Sequence, residues 1–140
     1  MSLENIDARG PRFSAVLTTI VLSIALATNS ELLLALQAVV FAIGAIKGPQ
    51  ATPYAAIFRK FVKPRLKSEA KFEDVRPPQF AQRVGLSFAL VGLFGAVAAP
   101  VLFQVAVSFA LAAAFLNAAF DFCLGCQIYL LLARLRVKQA

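Results

Sequence analysis

The chain reads as an all-α integral membrane protein with four transmembrane helices, and three features of its 140 residues carry that reading. Hydrophobic residues make up 60% and charged residues 15%, against roughly half and a quarter in a soluble domain. The apolar residues are gathered into long blocks, as bilayer crossings require. The cations are gathered too. Nine of the 14 Lys and Arg fall between Lys47 and Arg83, and three more lie from Arg134 onward. That asymmetry is the mark of cytoplasmic segments in a multi-span protein. The length suits one membrane domain, 1–140.

The net charge of +7 raises the question of nucleic acid. The cations sit in the connections rather than on a folded face with interleaved aromatics, so no nucleic-acid module is expected. Membrane lipids with anionic headgroups are the natural partner of such basic segments. The first twelve residues carry mixed charge and lead to no small-residue cleavage site, so the first apolar run is expected to stay as an anchor.

Gly10-Pro11 precedes the first span, 13–28, and Asn29-Ser30 makes a tight turn in which Ser30 caps the second span, 31–46. A cytoplasmic loop, 47–79, follows. Gly48-Pro49 ends the second helix, and Thr52-Pro53 reads as an N-cap with proline at the first helical position. In Y-A-A-I-F-R-K-F-V-K, residues Tyr54, Ile57, Phe58, Phe61 and Val62 share one side. This predicts a short helix in the membrane interface, with Arg59, Lys60, Lys63 and Arg65 facing the headgroups. Packing on the protein's own surface is the competing reading. Lys67 to Asp74 is expected to be solvated loop, and Pro77-Pro78 to hold the chain extended.

The third span, 80–99, carries Gly85, Gly92 and Gly95 on one face, a pattern for close helix packing. The fourth apolar stretch runs from Val101 to Ala133, with its span placed at 107–133. Such a length would reach ~50 Å as one helix, beyond the ~30 Å hydrocarbon core. The helix therefore tilts and protrudes, or it bends, with Gly125 as the bending point. The charge bias places both termini and the 47–79 loop in the cytoplasm. Asp7/Asp74, Arg9/Arg76, Pro11/Pro78, Phe13/Phe80 and Gln37/Gln104 share one offset of 67 residues. A two-plus-two repeat about an axis along the membrane normal would follow.

The chemistry concentrates in N-A-A-F-D-F-C-L-G-C-Q-I-Y, from Asn117 to Tyr129. Polar groups in hydrocarbon are costly and call for a reason. Cys123 and Cys126, the chain's only cysteines, are three apart. One helical turn separates their Cα atoms by about 5 Å, within disulfide reach. Gly125 between them would ease the geometry. In mid-helix an apolar setting favours the inert thiol. If Asp121-Phe122 breaks the helix, Cys123 faces a new helix start, where backbone N–H groups stabilise a thiolate. Cysteine also packs as a small apolar residue, so a structural pair is the competing reading. On an unbroken helix Asn117 and Asp121 share a stripe about 140–160° from the cysteines. That stripe would bond a neighbouring helix, for instance at Gln37 or Gln104, or relay protons. Two cysteines and no histidine leave zinc short of its four ligands. No metal site and no cofactor is expected, though a soft ion such as Cu(I) accepts thiolates.

These motifs resemble a known family. D-A-R-G-P-R-F at 7–13, Q-A-V-V-F-A at 37–42, K-P-R-L at 63–66, E-D-V-R-P-P-Q-F-A-Q at 73–82 and the 116–129 stretch are similar to the bacterial membrane proteins grouped as domain of unknown function 4395. The resemblance covers almost the whole chain. It implies a small multi-pass protein of the bacterial plasma membrane and makes Cys123–Cys126 part of the family pattern. It also implies thioredoxin-like or sulfurtransferase partners. The expected function is thiol–disulfide exchange or sulfur transfer through the CxxC pair. The alternatives are a transport or channel subunit for a soft metal ion or small sulfur species, and a non-catalytic scaffold; a homo-oligomer is a further expectation.

Overall fold

The computed structural model describes residues 5–7, 9–65, 72–74, 76–120 and 122–139. Most of the loop expected at Lys67 to Asp74, and Asp121 itself, lie outside the described residues. The fold is all-α apart from one short ribbon. Strand β1 (Asn5–Asp7) leads into helix α1 (Arg9–Thr28). This helix starts before the expected span and takes Pro11 into its first turn, where a missing N–H costs nothing. Asn29, at φ 50°, turns the chain. Ser30 Oγ accepts from the Leu33 N–H at 3.2 Å and caps α2 (Glu31–Lys47). Glu31 in its first turn and Lys47 in its last both suit the helix dipole.

A 3-10 turn, Pro49–Ala51, and the Thr52 cap lead into α3 (Pro53–Ile57). This short helix runs on as a π-helical turn, Phe58–Val62, and a 3-10 turn, Lys63–Arg65. Its apolar residues do not form the single face expected. Phe58 is buried, with its ring 5.8 Å from that of Phe13. Ile57 and Phe61 stay exposed, and Lys60 Nζ lies 5.6 Å from the Phe61 ring centre. One apolar stripe is thus spent on α1, and a second faces outward.

Strand β2 (Phe72–Asp74) pairs antiparallel with β1. The sequence predicts solvated loop at β2 and no strand at β1. Helix α4 (Arg76–Ala98) contains Pro77 and Pro78, contrary to the extended chain expected there. Prolines in a first turn forfeit no intrahelical bond. Gly95 meets α5 (Pro100–Phe120) so closely that a Cβ there would stand 2.5 Å from the Phe103 nitrogen. The stretch expected as one span, 107–133, is divided. Helix α5 stops at Phe120, and α6 (Leu124–Gln139) starts after a break. The break falls before Gly125, so that glycine is not the bending point.

Elements recur at the offset noted in the sequence. Asn5 to Phe72 and Arg9 to Arg76, the starts of β1/β2 and of α1/α4, are both 67 residues. The strand pairing centres on Ile6 opposite Glu73, which are also 67 apart. Across the halves α2 packs on α4 and α5 packs on α1. The core lies between them, built on Leu22, Leu34, Phe41, Ala89, Phe103 and Val107. Much apolar surface faces outward, including Leu32, Ile46, Phe94, Val97 and Val101. Helices α1, α4 and α5 are long and apolar enough to cross a membrane. Apolar exposure on this scale is foreign to water-soluble monomers, and the two observations point to a membrane protein.

The core also holds a polar chain. Tyr54 Oη donates to Gln37 Oε1 at 2.7 Å, and Gln37 Nε2 donates to Thr18 Oγ1 at 3.3 Å. Gln37 is 1% exposed. It therefore bonds α1 and α3, not the Asn117 stripe the sequence had suggested. Gln104 is exposed on α5 and does not meet that stripe either. Burial raises the Tyr54 phenol above its ordinary value of 10.0, so the neutral form is favoured in the fold. Stability contributed by this phenol is present below pH ~10 and is lost as the pH rises past the raised value. Tyr54→Phe should cost about 1–3 kcal/mol by orphaning Gln37 Oε1. Thermal unfolding in detergent at neutral pH and above pH ~10 checks both: the wild type should weaken at high pH and the variant should not share that drop.

Candidate functional site

The break between α5 and α6 builds the site. Helix α5 ends with the Phe122 N–H donating to the Leu116 carbonyl at 3.2 Å. Arg12 of α1 reaches across, and its Nε donates to the Ala118 carbonyl at 3.3 Å. This cation satisfies an orphan carbonyl at the negative end of the α5 dipole. Gln79 Nε2 and Arg83 Nε of α4 do the same for the Ala45 carbonyl near the end of α2, at 3.0 and 3.4 Å.

Chain direction then changes, and Cys123 becomes the residue before the first turn of α6. Its carbonyl accepts from the Gln127 N–H at 3.0 Å, which opens the helix. Its Sγ accepts from the Cys126 N–H at 3.2 Å. Sulfur thus occupies the place where serine or aspartate oxygen caps other helices. Cys123 and Cys126 are joined as a disulfide with their Cα atoms 5.1 Å apart. Both are partly buried.

Gly125 has a role the sequence reading did not give it. A Cβ there would stand 2.7 Å from both Cα and Cβ of Ala81. Only glycine lets the first turn of α6 rest on α4 at this distance. One turn further, the Tyr129 ring lies 5.7 Å from Phe80 and fixes the other end of the contact. Phe13 meets Phe58 of the segment after α2 in a comparable ring contact at 5.8 Å.

A half-enclosed cavity of about 100 Å³ opens beside Cys123, between α1, α4 and α5. Ser14, Thr18, Gln82, Asn117 and Cys123 bring its polar atoms, among walls such as Phe41, Phe88 and Ala114. Asn117 and Cys123 therefore share one cavity. On an unbroken helix they would diverge; the break swings Cys123 back toward α4. Gln82 Oε1 is buried with no hydrogen-bond partner among the described residues. The side chain lies over Gly44, where a Cβ would stand 2.8 Å from its Cγ and Cδ. Gln82 and Thr18 escaped the sequence reading. The signal was an amide one turn inside an apolar helix, at Q-F-A-Q.

Arg59, Lys60, Lys63 and Arg65 are all exposed on the π-helical and 3-10 turns, away from the cavity lining. Arg59 is not wholly turned outward, since its Nη1 donates to the Gln50 carbonyl at 2.7 Å.

The tight seat of Gly125 gives a direct test. Gly125→Ala should cost about 1–3 kcal/mol by overpacking against Ala81. Ala81→Gly in the same chain should restore most of it. Unfolding midpoints of the two single variants and the double variant measure that coupling.

Comparison with curated proteins finds no match, and comparison with solved structures finds none. A family match extends over residues 6–134 and takes in every element from β1 to most of α6. The chain belongs to the family described as Domain of unknown function (DUF4395).

Proposed function

We propose that this is a membrane dithiol–disulfide protein of the bacterial plasma membrane, with Cys123 as nucleophile and Cys126 as resolving thiol. The observation that carries the reading is the Cys126 N–H donating to Cys123 Sγ at the start of α6. A helix N-terminus stabilises negative charge on the sulfur it caps. Cys123 thiolate attacks a partner disulfide, and a mixed disulfide forms as one partner sulfur leaves as thiolate. Cys126 thiolate then attacks Cys123 Sγ. The intramolecular bond closes, and the second partner sulfur leaves as thiolate. The partner is a thioredoxin-like or sulfurtransferase protein.

In this reading α1, α2, α4 and α5 each cross the bilayer. The 17 residues of α2 meet the lower limit of about 17 for a crossing. Both termini and the basic segments face the cytoplasm. The α3 segment lies in the interface, with Ile57 and Phe61 toward lipid and the nearby cations toward headgroups. The 67-residue recurrence makes the four helices a two-plus-two repeat, and the protein works as a homo-oligomer.

The cavity supports a second reading, a transport subunit for a small sulfur species. Pro11 and Pro78, Ala15 and Gln82, and Thr18 and Gly85 are 67-residue counterparts that line it together. Transporters place their sites at such repeat interfaces. Uptake into vesicles carrying the protein, with and without Cys→Ser changes, separates transport from exchange.

A thiol-labelling redox titration in lipid tests the main reading. One two-electron transition is expected between about −180 and −320 mV. Cys126→Ser should accumulate mixed disulfide, whereas Cys123→Ser should not. Two cysteines that stay unreactive across that range would end the proposal.

A further inference from the structure

We propose that the cavity beside Cys123 is a binding site for hydrogen peroxide, a small neutral peroxide that oxidises the reduced cysteine pair. This rests on the dithiol reading and names the oxidant that reading lacks. Three observations select the ligand. The first is size: the cavity, about 100 Å³, is smaller than the engineered cavity of about 150 Å³ that accepts a benzene ring. A quinone ring or a peptide thiol would not fit wholly inside it. The second is charge: no lining side chain is charged among the described residues. An ion would enter such a place at high cost. The third is polarity: Gln82 Oε1 is buried without a partner among the described residues and can accept from a donor. Thr18, whose oxygen already accepts from Gln37, has its own proton to give. An O–H ligand that both donates and accepts fits this lining.

The chemistry closes without any further reagent. Cys123 thiolate attacks one peroxide oxygen; the S–O bond forms and the O–O bond breaks. The departing hydroxide takes a solvent proton and leaves as water. Cys126 thiol then attacks the sulfenic sulfur, the S–S bond forms, and hydroxide departs with the Cys126 proton as the second water. Two sulfurs have lost two electrons in total, and one peroxide has gained them. Gln82 Oε1 orients the peroxide through its O–H, and the Thr18 hydroxyl steadies the departing oxygen.

The test uses the reduced full chain in lipid vesicles, with loss of free thiol followed against time. Hydrogen peroxide should oxidise the wild type about tenfold faster than cumene hydroperoxide, whose ring cannot enter. Gln82→Leu and the cavity-filling Ala114→Leu should each slow peroxide oxidation about tenfold. Oxidation of Ala114→Leu by glutathione disulfide should stay within about twofold of wild type, which also reports that this variant is folded. In Cys126→Ser, a sulfenate trap should label Cys123. Equal rates for the two peroxides, or sulfenate absent from Cys123, would overturn the peroxide site; so would wild-type peroxide rates in both cavity variants. Should both variants lose reaction with glutathione disulfide as well, the two-peroxide comparison on the wild type decides alone. If glutathione disulfide fails to oxidise the wild type, the dithiol reading falls; if only peroxide fails, the peroxide site alone falls.

Discussion

Helix ends in apolar surroundings leave carbonyls that must find donors, and the architecture turns on how two of them are closed. Helices α2 and α5 both finish at the end of the bundle where α1 and α4 begin. Each is closed by the first helix of the opposite half. Arg12 of α1 reaches the Ala118 carbonyl of α5, and Gln79 and Arg83 of α4 reach the Ala45 carbonyl of α2. These bonds tie the halves across the same interface that buries Leu34, Phe41, Phe103 and Val107. They also explain why arginine is tolerated beside such apolar helices: its charge meets the negative end of a helix dipole rather than hydrocarbon.

The large-scale plan was legible because it depends on quantities a sequence displays. The caps at Ser30 and Thr52 and the glycine face of α4 follow from local chemistry, and the structure places each where that chemistry puts it. The 67-residue recurrence was visible in Asp7/Asp74 and Pro11/Pro78. The strand pairing is what those identities had not announced. Three-residue strands carry too little alternation to be read, and they pair only because the two halves bring them together.

The site was less legible for a geometric reason. Angular bookkeeping along a helix holds only while the helix continues. From Asn117 to Cys123 the angular count holds only on an unbroken helix; a break at Asp121-Phe122 is the other case the sequence allows, and α5 ends at Phe120. Cys123 therefore joins Asn117 in one cavity instead of facing away. Gly125 misled for a related reason. Glycine marks bends and close approaches alike, and only the position of Ala81 decides between them. Pro77-Pro78 likewise has two meanings, an extended stretch or a first turn, and the neighbouring helices select the second.

The break supplies what a reactive sulfur, as proposed above, would need inside such a bundle. In the middle of a helix every N–H is committed to a carbonyl four residues back, so none is left for a thiolate. Only a helix start offers spare donors, and an interrupted backbone is tolerated only where protein or the membrane edge covers it. The 21 residues of α5 rise about 31 Å, the thickness of a hydrocarbon core. If α5 crosses the bilayer as proposed, a break after that length falls at the boundary rather than in the interior. There Arg12 can close the old helix, the Cys126 N–H can serve the Cys123 sulfur, and Gly125 can bring the new helix down on α4. Cys123 is thereby left on the inward side of the break, beside the cavity that Gln82 and Thr18 line. Moving the same two cysteines one turn earlier, into α5, would keep their spacing and remove the donor that distinguishes them from ordinary packing residues.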